Sequence, residues 1–239
     1  MCYSYVRRNK IIMELLRTDQ LSFTAGNTHI RYPDLVVEAN KMTFLSGPSG
    51  CGKSTLFRLL NGTLTQTAGR IFYRSTDTLT MDTLELRRQI LLVNQQAYLF
   101  DGTVEDNFRI YNQYRHQPVP AKSAIKEYLY IASAHFDPTH ETARLSGGER
   151  QRVFNAVMLS LGADVYLWDE PSSALDTITA NAFFYRLRAF NADRGITSLV
   201  ITHDDSLIPT FSDALITLDA PRLASISSAT AASSTNQHN

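Results

Sequence analysis

The sequence predicts an α/β fold built on a largely parallel sheet, and three observations carry that prediction. Strand-length runs at Thr43 to Ser46, Ile90 to Val93, Val165 to Trp168 and Ser198 to Thr202 alternate with helical stretches, the order that parallel strands joined by crossover helices require. A glycine-rich segment closed by Lys53, Ser54 and Thr55 stands between the first of these strands and the helical run Leu56 to Leu60. The apolar strand from Ala163 to Trp168 ends in two adjacent carboxylates, Asp169 and Glu170.

With 239 residues, 44% of them hydrophobic and 19% charged, the chain can bury one large domain or two small lobes sharing a core. The formal net charge is zero, so nothing global draws the chain to nucleic acid or anionic lipid, and no nucleic-acid partner is expected. Two cysteines, Cys2 and Cys51, are too few and too awkwardly placed for a disulfide framework, which fits a reducing compartment. The longest apolar runs are of strand length, far from the roughly 18 residues a membrane span needs. The stretch Ile11 to Leu16 is too short for a signal-peptide core. A cytoplasmic chain that does not cross the membrane is the expectation.

Residues 1 to 12 are expected to be an N-terminal extension set by start-codon choice, with Met13 leading into the first strand. Residues 224 to 239 are almost all Ala, Ser, Thr and Asn and are expected to be disordered, because they cannot bury enough apolar surface to offset their ordering entropy. The region from Val104 to about Ala143 reads as helices only, with Tyr128, Leu129, Ile131 and Ala132 supplying an apolar face.

Gly47-Pro48-Ser49-Gly50-Cys51-Gly52-Lys53-Ser54-Thr55 has the spacing and the strand-to-helix context of a P-loop. Its glycines let successive backbone N–H groups turn inward on phosphates, and the helix that follows aims its positive end at the same point. Lys53 would add a point charge for the β- and γ-phosphates and Ser54 a hydroxyl for Mg²⁺. A P-loop alone leaves kinases, GTPases, helicases and transport ATPases open.

Leu145-Ser146-Gly147-Gly148-Glu149-Arg150-Gln151-Arg152 narrows the choice. Ser146 and Glu149 have capping-box spacing at the head of a helix running through Val153, Val157 and Leu161, and that helix start is a second anion site. This segment resembles the signature motif that sets ABC (ATP-binding cassette) ATPases apart from other P-loop proteins. The resemblance extends from about Leu15 to Leu223 and follows the family's motif order. It implies an ABC nucleotide-binding domain over residues 13 to 223, with a RecA-like core, an N-terminal antiparallel β subdomain and a short helical subdomain at about 104 to 144.

Residue by residue, the resemblance implies that Asp169, just beyond its strand, holds the Mg²⁺ shell and that Glu170 is the general base for the attacking water. Gln95, after strand Ile90 to Val93, resembles the Q-loop glutamine that reaches Mg²⁺ and that water. His203, in Ile201-Thr202-His203-Asp204, resembles the switch histidine at the γ-phosphate, and Ser173 to Asp176 resembles the D-loop. His29, His116, His135, His140 and His238 stand in no motif. One departure concerns the base: where most ABC ATPases place an aromatic ring against adenine stands Ala25, with Phe23 the nearest ring. The resemblance then implies base recognition weakened by about 1 to 3 kcal/mol.

Family logic further implies two copies packed head to tail, Ser146, Gly147 and Gly148 of one completing the phosphate site of the other. A separately encoded membrane permease would dock at Tyr98 to Phe108 and the helices after them, on the cytoplasmic face of the membrane. Ala25, the stretch Ala97 to Phe100 and the short helical insert look most like the ATP-binding subunits of bacterial Fet-type iron exporters. The alternative is a soluble ABC ATPase serving an assembly machine such as iron–sulfur cluster building.

Overall fold

A computed structural model of the chain describes residues 4–7 and 10–219. The proposed tail at 224 to 239, Cys2 and His238 lie outside the described residues. In chain order the elements are β1 (Ser4–Arg7), β2 (Lys10–Ala25), β3 (Thr28–Arg31), β4 (Val36–Glu38), β5 (Met42–Ser46), α1 (Lys53–Leu60), β6 (Ala68–Tyr73), β7 (Thr76–Asp77), α2 (Thr83–Gln89) and β8 (Ile90–Val93). Then come α3 (Val104–Tyr114), α4 (Lys122–Ile131), α5 (Gly147–Leu159), β9 (Val165–Asp169), α6 (Thr177–Arg194), β10 (Thr197–Ile201), α7 (Ile208–Phe211) and β11 (Ala214–Thr217).

Two sheets result. One is antiparallel, with the long strand β2 pairing β1, β3, β4 and β6, and β6 pairing β7. The other is parallel, in the order β11-β5-β10-β9-β8. The expected strands are all present, within a residue or two of their expected bounds. Two details differ. Asp169 is the last residue of β9, paired with Ile201, so its backbone is held by the sheet instead of by a loop. The first long strand starts at Lys10, and residues 4 to 7 pair antiparallel with residues 10 to 13, so the expected extension contains paired strand.

β5, β9 and β10 read as continuous apolar runs because each is covered on both faces, and nearly all of their residues are buried. Their side chains alternate between two cores. Phe44, Trp168 and Val200 face the helices α3 to α6, while Leu45, Leu167 and Leu199 face α1 and the antiparallel sheet. Between β8 and β9 the described chain is helical as expected, apart from a single antiparallel bridge between Thr103 and Glu141. α3 begins on a reciprocal capping box: the Thr103 hydroxyl accepts from the Asp106 amide at 3.1 Å and the Asp106 carboxylate accepts from the Thr103 amide at 3.0 Å. Arg109 donates to the Asp106 carboxylate at 2.7 Å, and this bond, with those from the Thr103 amide and hydroxyl, holds the carboxyl down at about 2.

Candidate functional site

Register brings the motifs to one edge. Val93 pairs with Trp168, Trp168 with Val200, and Val200 with Phe44, so β8, β9, β10 and β5 end at one level. Gln95, Glu170, His203 and the loop from Gly47 leave those ends within three residues of the paired positions. This is the crevice at the carboxyl edge of a parallel sheet where such folds bind ligands.

The loop from Gly47 to Gly52 wraps the start of α1. Gly52 is the helix N-cap with φ 97°, a left-handed conformation that L side chains rarely adopt. A Cβ there would lie 2.8 Å from the Tyr32 hydroxyl and 2.9 Å from Ile30 Cδ1. Lys53 is buried, and its Nζ donates to the carbonyls of Gly47 at 2.7 Å and Pro48 at 3.1 Å. The ammonium therefore lies inside the turn whose amides would cradle phosphate. Cys51 is buried beneath it.

Asp169 is buried at the end of β9, and burial raises its carboxyl pKa; a hydrogen bond from the Ser54 hydroxyl works in the opposite direction. Ser54, Gln95 and Asp169 line one cleft of about 600 Å³. A hydroxyl, an amide oxygen and a carboxylate are hard oxygen donors suited to Mg²⁺, which keeps most of its shell as water and phosphate oxygens. Accordingly, the described residues hold no cluster of three or more His, Cys, Asp or Glu that would form an all-protein cage.

Glu170 is the centre of the arrangement. Gln95 Nε2 donates to its Oε2 at 2.6 Å, and His203 Nε2 lies 2.6 Å from its Oε1. This contact puts the proton of a neutral His203 on Nε2. The residue sits at φ 55°, in the left-handed region, which for a side chain larger than glycine costs of order 1–3 kcal/mol. The turn is held there by neighbours: the Glu170 amide donates to Ile201 at 3.0 Å, and the buried Asn155 of α5 donates to the Pro171 carbonyl at 3.0 Å. Strain supported in this way aims the carboxylate out of the sheet edge and between two side chains from neighbouring strands.

Ser146 caps α5 through the reciprocal box with Glu149, as its spacing predicts. Gly147 has open space where a Cβ would stand, whereas a Cβ on Gly148 would lie 2.7 Å from the Ala174 carbonyl, packing the helix start against Ser173 to Asp176. No residue of Ser146 to Gly148 lines the cleft at Asp169 or the neighbouring one at Glu170 and His203. The structure thus gathers the loop from Gly47, Gln95, Asp169, Glu170 and His203, and leaves Ser146, Gly147 and Gly148 apart from them at the start of α5.

Ala25 is the exposed last residue of β2, and Phe23 is half-buried against the core that contains Leu21. Tyr32 belongs to no motif, yet its hydroxyl donates to the Gly52 carbonyl at 3.0 Å. The one available signal was its spacing from Ile30: Tyr32 follows β3 directly, and both side chains reach Gly52.

A glycine-rich loop and a buried lysine at the carboxyl edge of a parallel sheet, with a carboxylate held by two donors on the same edge, form the arrangement of a P-loop nucleotide-binding fold. Residues 31–173, more than half of the chain, match the model of the ABC transporter family. The chain belongs to that family. It is 34% identical over 181 residues to the mitochondrial iron-sulfur clusters transporter ATM1 of Gibberella zeae, covering 73% of this chain and 26% of that protein. It is 33% identical over 195 residues to the Fe(3+) ions import ATP-binding protein FbpC of Mannheimia succiniciproducens, covering 80% and 54%. The chain therefore spans about a quarter of one curated relative and about half of the other. Among solved structures, the ATP-binding cassette MJ0796, as a dimer in a post-hydrolysis state bound to ADP and Pi, superposes with a TM-score of 0.74 at 25% identity, over 87% of this chain and 97% of that one.

Proposed function

We propose that this chain is the ATP-hydrolysing subunit of an ABC transporter, working as a head-to-tail pair that energises a separate membrane permease exporting iron or another metal ion. The observation that carries the reading is Glu170 held between Gln95 and His203 at 2.6 Å on each side, beside the P-loop. A carboxylate held by two donors at the sheet edge is placed to accept a proton from a water attacking a γ-phosphate in line.

In this reading Gly47 to Thr55 hold the ATP phosphates through backbone amides and Lys53, and His203 meets the γ-phosphate. Ser54, Asp169 and Gln95 would hold Mg²⁺, which when bound neutralises charge between the β- and γ-phosphates. Ser146, Gly147 and Gly148 lie away from both clefts, so their anion site serves the nucleotide of the partner copy. Hydrolysis then separates the pair, because the partner's helix start binds a γ-phosphate that ADP lacks.

A permease surface is offered by aromatic side chains around Phe100. Tyr98 and Tyr114 are exposed and Tyr111 is half-buried, and the three rings lie 5.0 to 6.2 Å from that of Phe100. Exposed aromatic groups of this kind favour protein partners. No described helix is long and apolar enough to cross a membrane, so a span would come from the partner. Iron as cargo is supported by the resemblance to Fet-type exporters and by two relatives named for iron–sulfur clusters and Fe(3+).

The reading is tested by tagging the chain and purifying it from native membranes. The expected result is recovery of a multi-span protein, with ATP turnover stimulated by ferrous or another divalent metal ion. A partner-free ATPase in the soluble fraction would replace the transporter with an assembly-machine role.

A further inference from the structure

Tyr32 touches the P-loop from outside every motif, and its contacts form a clamp. Its backbone is fixed to the antiparallel sheet, where its amide donates to Leu21 at 2.9 Å. Its ring is buried, and its hydroxyl donates to the Gly52 carbonyl at 3.0 Å. That bond ties the N-cap of α1 to the antiparallel sheet. The Gly52 carbonyl also accepts the first helical bond, from the Leu56 amide at 2.8 Å. Burial drives the phenol pKa far above its ordinary value, so the hydroxyl remains a donor throughout the physiological range. Ile30, two residues earlier, closes the other side of Gly52.

We propose that Tyr32 is a positioning residue of the phosphate cradle: its hydroxyl fixes the turn from Gly52 into α1 and so sets the affinity for the nucleotide's phosphates. The backbone amides of Lys53, Ser54 and Thr55 bind phosphate only when they converge, and the turn before them, with Gly52 in the left-handed region, is the easiest part of the loop to move. A hydroxyl anchored on another sheet pre-organises that turn before ligand arrives. The clamp acts equally on ground state and transition state, so its loss changes binding and not turnover.

This inference rests on the reading of Gly47 to Thr55 as the cradle, and the test separates the two. ATP and ADP binding are titrated calorimetrically on the full chain for the wild type, Tyr32→Phe and Tyr73→Phe, with steady-state hydrolysis measured alongside. Tyr73 is the control, a buried tyrosine whose hydroxyl donates to Asp164, away from the loop. Tyr32→Phe is expected to weaken ATP and ADP about two- to tenfold, the worth of one net hydrogen bond. KM should rise in step with kcat within about twofold, and Tyr73→Phe should bind as the wild type does. Unchanged binding in Tyr32→Phe, or equal weakening in Tyr73→Phe, overturns the clamp. A wild-type chain that binds neither nucleotide overturns the cradle reading instead.

Discussion

Replacing Glu170 by Gln is expected to lower kcat by about 10²- to 10⁴-fold, the range for removing a positioned general base, while ATP stays bound. The substitution is nearly isosteric, so the left-handed turn, held by the Glu170 amide on Ile201 and by Asn155 on Pro171, survives. What is lost is the proton acceptor. Where the carboxylate receives both Gln95 and His203, an amide can accept through only one of its two ends, and a donor then faces the other. The phosphates remain held by Lys53 and the loop, so bound ATP should accumulate, and pairs with it. Phosphate release and size-exclusion chromatography with ATP measure both effects. Turnover within about tenfold of the wild type would remove Glu170 from the role of base.

A second large effect is on stability. Trp168→Ala should cost about 3–5 kcal/mol, which for a domain of this size lowers Tm by on the order of 10 °C. The indole is buried, stacked on Tyr166 at 5.4 Å and set edge-on to Phe183 at 5.8 Å, in an aromatic group continuing through Phe184 to Phe44 and Phe211. Its N–H donates to Ser198 Oγ at 3.2 Å. Alanine leaves a cavity between β9 and α6 directly behind Asp169, and the site edge should loosen with the core. Trp168→Phe keeps a ring there and should recover much of the loss. Trp168 is the chain's one tryptophan, so circular dichroism and not intrinsic fluorescence should follow the melt. A fall of less than about 3 °C would mean that neighbouring side chains refill the space.

The legible parts of this protein are those whose chemistry needs neighbouring residues in the chain. The P-loop, the Ser146 capping box and the pair Asp169–Glu170 could be read because amides, a helix cap and a strand end are local devices. The three central strands β5, β9 and β10 could be read because burial on both faces leaves uninterrupted apolar runs. The meeting of Gln95, Glu170 and His203 depends on β8, β9 and β10 being neighbours in register, which no local pattern in the chain encodes. The left-handed turn at Glu170 was hidden because glutamate carries no signal for positive φ. Tyr32 lacked any motif, and the pairing of residues 4–7 with 10–13 falls in a segment read as an extension, although Tyr5, Val6, Ile11 and Ile12 are strand formers.

In the proposed pair each ATP is hydrolysed between two copies, the P-loop side from one and Ser146 to Gly148 from the other. Gly147 makes a direct test available, because a side chain there meets nothing in its own chain. Lys53→Ala should abolish turnover through its own P-loop, and Gly147→Asp should do so by placing a negative charge against the partner's nucleotide. The measurement is the ATPase rate of the two inactive variants mixed in equal amounts. In a mixed pair, the site formed by the P-loop of Gly147→Asp and the helix start of Lys53→Ala is intact. Turnover rising well above the sum of the separate variants is the predicted result; no activity beyond that sum would contradict the shared site.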